Sequence, residues 1–393
     1  MKTSLERIAT LVLGVLVACA PSAISQVQPS SSSSSDSSAQ AGGPQGDLGP
    51  IAVPKKREEA PKKDDVPARP QKVEGLGNVS LKVASQLVTL DVGVLSRDGV
   101  FIPGLKKEHF RVYEDGVPQA VTSFGQIEAP ITAAMLVEFS NNQYFYSFQV
   151  DSIKNAYIFS QTLKKDDWVA MISYDLKPHI LEDFTQDKQA ILGAISSLRP
   201  GMAMSSETNL FDALIDTLDR LDGVEGRKYI ILITSGRDSF SKHTLDQALK
   251  RVQGSKDTAI YVVATGKALV NYAQTHGFMR LLCPMTEFNC EMTFAQADNQ
   301  LKAFAKMTGG RFYEPMFDGQ LREIYADISQ TIRNQYSLAY RPTNSAQDGT
   351  YRKIKVELVD EVGQPLKMRD QKGKEVKYQV ISREGYKAKP QVE

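Results

Sequence analysis

The stretch Ala133-Ala134-Met135-Leu136-Val137-Glu138-Phe139-Ser140-Asn141-Asn142 decides how this chain of 393 residues reads. A run of strand length, Ala133 to Phe139, carries one acid near its end and passes directly into short polar residues. Working outward, runs of the same kind recur at Trp168 to Tyr174, Tyr229 to Thr234 and Ala259 to Ala264, each bounded by polar or Gly-containing segments with helical patterns between them. That alternation predicts a mainly parallel sheet with helices on both faces. The helices agree, since Leu210, Ala213, Leu214, Leu218 and Leu221 fall on one face, as do Leu321, Ile324, Ile328 and Ile332. Doubly wound sheets bind ligands outside the carboxyl ends of their strands. The loops to read together are therefore Ser140-Asn141-Asn142, Ser206-Glu207-Thr208, and Ser235-Gly236 with Asp238.

On these residues the chain resembles a von Willebrand factor type A domain, whose metal-ion-dependent adhesion site uses D-x-S-x-S after the first strand. Here the corresponding residues are Glu138, Ser140 and Asn142. The family's T-x-L-x-x-A-L helix start is matched by Thr208-Asn209-Leu210-Phe211-Asp212-Ala213-Leu214, and its T-D-G strand ending by Thr234-Ser235-Gly236. So Ser140 and Thr208 match, whereas Glu138, Asn142 and Ser235 depart. Further segments, Phe110 to Gly116, Thr308 to Tyr313 and Gln335 to Pro342, resemble the bacterial von Willebrand factor A-related proteins known chiefly from Acidobacteria. The resemblance spans roughly residues 78 to 387 and implies a Rossmann-like α/β fold and protein binding at the strand ends.

Magnesium requires an octahedral set of hard oxygens at tightly fixed distances. A carboxylate about 4 Å from a divalent ion contributes roughly 8 kcal/mol of attraction at an effective dielectric near 20, before desolvation. Ser235 removes one such charge, and Glu138 carries its charge on a longer stem. A degenerate site without a cofactor is the expectation, with Glu207 and Asp238 as candidate replacement charges and Glu138, Ser140 and Thr208 as the ligands if Mg2+ binds after all. The alternative is that Glu138, Ser140 and Ser235 cap helices and bond loop backbone.

The flanks read as β structure. Ser85 to Val94 alternates apolar and polar residues, and Phe110 to Tyr113 and Gln119 to Phe124 follow, with Glu114-Asp115-Gly116 as a turn. Beyond the central unit come Tyr336 to Tyr340, Tyr351 to Leu358 and Lys377 to Ser382. The expectation is one β-sandwich built from both flanks, with the α/β unit inserted between its halves. The organisation read from the sequence is a signal peptide over 1–25, a linker over 26–77, a leading β segment over 78–129, the A-type unit over 130–334, a closing β segment over 335–387 and a tail over 388–393.

A net charge of +1 and 41% hydrophobic residues fit compact domains with tails and lack the basic patch of a nucleic-acid binder. Lys2 and Arg7 precede an apolar run from Ile8 to Ala18, too short for a permanent span, which predicts export to the periplasm, the membrane surface or the medium. Leu16-Val17-Ala18-Cys19 resembles a lipobox, so Cys19 is a lipidation candidate with the signal then ending at 18; ordinary cleavage near Ala23 to Ser25 is the alternative. A lipid anchor is the only membrane attachment expected. Residues from Gln26 to about Glu74 have few apolar anchors and read as a spacer.

In an exported chain Cys283 and Cys290 are expected to pair, with independent thiols the alternative. They lie in an insertion, Lys267 to Ala297, whose Tyr272, Phe278, Met279, Met285 and Phe288 make either a recognition element or a self-packed lid. No G-x-S-x-G, H-E-x-x-H or Walker-type motif is present, and no motif places His179 or His243 beside Ser235. The sequence thus predicts a non-enzymatic binding protein whose partner is another protein or an envelope component, with a scaffold, or an uncharacterised hydrolase, as the alternatives.

Overall fold

The computed structural model describes residues 87–97, 99–128, 130–140, 146–200, 207–277, 287–369 and 373–388. The signal, lipidation and linker readings, Asn142 and Cys283 lie outside them. Four strands come first: β1 (Val88–Ser96), β2 (Phe110–Glu114), β3 (Val117–Gln119) and β4 (Val121–Glu128). The α/β unit follows as β5 (Thr132–Glu138), α1 (Tyr146–Ser160), β6 (Trp168–Tyr174), β7 (Pro178–Thr185), α2 (Lys188–Ser197), α3 (Leu210–Leu221), β8 (Lys228–Thr234) and α4 (Leu245–Gln253). It continues through β9 (Thr258–Ala264), α5 (Gly266–Thr275), α6 (Glu287–Thr308), β10 (Phe312–Tyr313) and α7 (Leu321–Arg333). The chain closes with β11 (Asn334–Tyr340), β12 (Tyr351–Leu358), the short pair β13 (Met368–Arg369) and β14 (Glu375–Val376), then β15 (Tyr378–Ile381) and β16 (Gly385–Lys387).

The central sheet has the order β10-β9-β8-β5-β6-β7, parallel except for β7, which runs antiparallel to β6 at the edge. Its strands are apolar on both faces because both are covered. Ala134 and Leu136 pack toward α3, α4 and α6, while Ala133, Met135 and Val137 pack toward α1, α2 and α7. From β5 the chain winds outward to β6 and β7, then returns to β8 on the other side. The order therefore reverses between β5 and β8, the place where a doubly wound sheet opens a crevice. Strand β7 was not legible in the sequence: seven of its eight positions, all but Phe184, are half-buried, so no alternation marks it.

The flanks form two four-stranded sheets, β15-β1-β11-β4 and β16-β12-β2-β3, packed on one core. Val88, Leu90, Val92 and Val94 all point inward from β1, toward Phe110, Val112, Tyr336 and Tyr340. The strand expected over Gln119 to Phe124 is instead divided. Gln119 ends β3 in one sheet and Val121 begins β4 in the other, so the chain changes sheets at Ala120. The Asp115-Gly116 turn takes positive φ at both residues, 47° and 81°, as a tight hairpin between β2 and β3 requires.

At the junction with the sandwich one ion pair locks the α/β unit internally and another crosses to β1. α7 runs into β11 with no intervening loop, and Arg333 at its end makes a bidentate pair with Asp167 at 2.8 and 2.5 Å. Both side chains are buried. Burial alone would raise the Asp167 carboxyl, but Arg333 and the amides of Ile131 and Lys164 outweigh it and hold it below the usual carboxylate range. Nearby, Asp91 of β1 meets Arg227 at 2.6 Å. Desolvation there exceeds the pull of Arg227 and pushes Asp91 up to about 6.

Candidate functional site

The reversal point of the sheet brings the ends of β5 and β8 side by side, with Val137 opposite Ile233. Glu138 ends β5 and is buried; it reaches across to β8 rather than outward. Its Oε2 accepts hydrogen bonds from the Thr234 hydroxyl at 2.8 Å and the Ser235 amide at 2.7 Å. The Ser235 hydroxyl lies 3.0 Å from both carboxylate oxygens and donates between them. The Tyr174 hydroxyl donates to Thr234 Oγ1 at 2.8 Å, which makes a directed chain from tyrosine through threonine to the carboxylate. Desolvation raises the Glu138 carboxyl above its ordinary value, although the Ser235 and Thr234 bonds and the charge of Arg237 act in the other direction. Burial and the neighbouring Glu138 charge raise the Tyr174 phenol too, so it stays protonated and donating.

The serine in place of the family's terminal aspartate thus supplies two donors where an aspartate would place a second carboxylate against the first. The longer stem of Glu138 is what lets it reach them. A magnesium site needs oxygens that turn lone pairs toward one point. Here the Glu138 oxygens face protons from Thr234 and Ser235, and the Thr208 hydroxyl donates to the Arg237 carbonyl at 2.8 Å. Among the described residues these oxygens are therefore satisfied within the protein.

The surrounding loops are stitched together. The Thr208 amide donates to Ser239 Oγ at 2.9 Å, and its carbonyl accepts from the amides of Ser239 and Phe240. Asp238 does not turn toward Glu138 as a replacement charge. Its Oδ1 instead accepts from the Phe211 amide at the start of α3, at 3.1 Å, and from the Ser241 hydroxyl. Asp212 collects the amides of Lys242 and His243 and the His243 ring. Asn209 donates to the Asp175 and Leu176 carbonyls, tying α3 to the β6–β7 turn. Glu207 is exposed, and Ser140 is buried with its carbonyl accepting from Gln149.

Sequence reasoning passed over Tyr174, Asp212 and Arg237. Tyr174 was the only one with a legible signal, a hydroxyl-bearing residue ending the strand beside β5. Both histidines of the hydrolase reading are paired with aspartates, His179 with Asp175 at 3.0 Å and His243 with Asp212 at 2.7 Å. The backbone of Cys290 lies in the first turn of α6. In the insertion, Tyr272 stacks on His276 with centroids 4.1 Å apart. An open cleft of about 920 Å3 lies away from these loops, between Tyr351, Lys353 and Lys355 of β12 and Gln253 and Met307 of the helices; its walls carry no nucleophile–base pair.

No protein-family model and no curated protein matches the chain. Solved structures do. The vWF domain of the type V pili tip protein Mfa5 from Porphyromonas gingivalis aligns at 14% identity over 52% of this chain and 96% of that one, with a TM-score of 0.38. A von Willebrand factor type A protein from Catenulispora acidiphila aligns at 9% identity over 78% and 75%, TM-score 0.38. Manganese-loaded TRAP from Plasmodium vivax aligns at 15% over 67% and 96%, TM-score 0.34. The strand order and the antiparallel edge strand define a doubly wound α/β unit carried on a flanking β-sandwich, the arrangement that the resemblance to von Willebrand factor type A domains implies.

Proposed function

We propose that this protein is an exported, non-enzymatic binding module that docks another protein or an envelope component through the strand-end loops of its A-type unit, without a metal ion. The observation that carries the reading is the Glu138 carboxylate held by Thr234 and Ser235 at the sheet's reversal point, inside loops braced by Thr208, Asp212 and Asn209. Such bracing keeps a recognition surface in one shape and limits the ordering cost of association. Around it, Phe240 and Phe317 are 68% and 63% exposed, with Leu176 and Met316 less so. All four lie on loops that leave the carboxyl ends of β6, β8 and β10, and exposed apolar residues gathered at one end favour contact with a partner.

Export rests on Lys2, Arg7 and the Ile8 to Ala18 run, with Cys19 as the anchor if lipidated; no helix among the described residues is long and apolar enough to cross a membrane. A Cys283–Cys290 bridge would suit that compartment. Against catalysis, the Ser235 hydroxyl donates to a carboxylate and has neither His179 nor His243 as its base. The test is photo-crosslinking in the producing cell from a reactive amino acid at Phe240, compared with one at Val362, which is 84% exposed on the sandwich. A discrete adduct from Phe240 alone is expected, retained in chelator. Equal labelling from both positions, or from neither, contradicts the docking reading.

A further inference from the structure

We infer that Arg237 is the cation of this face, a receptor for a carboxylate on the docking partner in place of a metal ion. The inference rests on the docking reading above and names the chemistry it recognises. Among the described residues, seven other arginines are buried or half-buried, and each has its guanidinium matched. Arg220, Arg227, Arg251, Arg311, Arg333 and Arg352 pair with aspartates, and Arg383 donates to the carbonyls of Gly385 and Ser255. Arg237 is half-buried too, yet among the described residues its guanidinium makes no ion pair and no hydrogen bond, and its charge acts on the Glu138 carboxylate only at longer range. A half-buried cation with no directly bonded counter-ion favours an incoming anion.

The backbone holds this arginine in place. Its amide donates to Ser235 Oγ at 3.3 Å, and its carbonyl accepts from Thr208 Oγ1 at 2.8 Å. Gly236 before it has φ of +80°, and a Cβ there would lie 2.8 Å from Leu301 Cδ1 and 3.0 Å from Ala297 Cβ of α6, so only glycine makes the turn. The residues that match and replace the adhesion-site motif therefore position Arg237. Glu138 feels its charge but is saturated by Thr234 and Ser235, which leaves the fork of the guanidinium to a ligand.

A carboxylate suits that fork through two parallel N–H···O bonds. Exposed Phe240, three residues on, favours apolar neighbours around the acid. The ligand is therefore an acidic side chain within an apolar segment of a protein.

The test titrates the mature protein, with its arginines labelled by 15N, with acetyl-Phe-Glu-Leu-amide and acetyl-Phe-Gln-Leu-amide in EDTA. The glutamate peptide is expected to shift the Arg237 Nε signal saturably and to bind at least about fivefold more tightly than the glutamine peptide. Arg237→Gln should abolish that preference at an unchanged melting temperature, Arg237→Lys should keep part of it, and the exposed-site control Arg199→Gln should keep all of it. Equal binding of both peptides, full binding by Arg237→Gln, no shift at millimolar peptide, or binding only when EDTA is left out would each overturn the proposal. Failure here with Phe240 crosslinks intact removes the arginine receptor alone, whereas loss of the crosslinks removes the docking face as well.

Discussion

Two buried carboxylates sit at opposite ends of the α/β unit and solve the same problem differently. At the joint with the sandwich, Asp167 is matched by the guanidinium of Arg333 and held below the usual carboxylate range. At the carboxyl ends of the strands, Glu138 is surrounded only by hydroxyl and amide donors and is raised above it. The first arrangement locks a full charge between elements that must not separate. The second ties two strand ends together with neutral groups, and Arg237, whose charge also acts on Glu138, makes no ion pair among the described residues. A buried charge with its own counter-ion serves architecture, whereas one held by neutral donors leaves a neighbouring cation free for the proposed ligand.

That contrast breaks most sharply at Asp167. Arg333→Ala leaves its carboxylate buried and unmatched, and should cost about 3–5 kcal/mol in denaturant unfolding. A loss under about 1 kcal/mol would mean that water reaches Asp167 and that the two ends are not different in kind. A second and smaller effect is expected from pH. Asp91 is raised from 3.8 to about 6, so its protonated form favours the folded state. That contribution is complete below the unfolded value and is lost as pH rises through about 6. From pH 5 to 7.5 it should remove about 1–1.5 kcal/mol, which Asp91→Asn would abolish in melting curves. Glu138, also raised, acts in the same sense, while Asp167, Asp175 and Asp212 are lowered and lose their contributions as pH falls through their folded values. The best stability should therefore lie in mildly acidic solution, and stability that climbs steadily to pH 8 would contradict this balance.

Comparable in size is Ser235→Ala, which keeps the backbone donor but removes the hydroxyl shared by both Glu138 oxygens, at about 1–2 kcal/mol. No change in unfolding would show that the hydroxyl does not hold Glu138. Smallest should be Phe240→Ser, within about 0.5 kcal/mol in stability because the ring is exposed, yet abolishing crosslinks to the partner from a neighbouring probe. A large stability loss would make Phe240 part of the core of its own loop.

The fold was legible because strands covered on both faces leave an uninterrupted apolar record. Trp168 to Tyr174 and Tyr351 to Leu358 coincide with β6 and β12, β8 and β9 begin one residue before the reading, and β5 is shifted from it by one residue. The alternation Val88, Leu90, Val92, Val94 fixed which side of β1 meets the sandwich core. The crossing at Ala120 was not legible, since a strand that changes sheets keeps its β composition. At the site, the departures at Glu138 and Ser235 were visible, but their relation was not. Whether a glutamate misses a metal or turns to a serine 97 positions away depends on the register of β5 against β8. The pairing of Arg333 with Asp167, 166 positions apart, has no local pattern at all.

The central claim is that the strand-end pocket is closed by hydrogen bonds among Glu138, Thr234 and Ser235 and docks its partner with no metal ion. Calorimetric titration of the metal-stripped mature protein with magnesium and manganese, with and without acetyl-Phe-Glu-Leu-amide, tests it most directly. The account predicts no saturable heat from either ion and peptide binding that is indifferent to both. Saturable heat at micromolar ion that disappears in Thr208→Ala would contradict it.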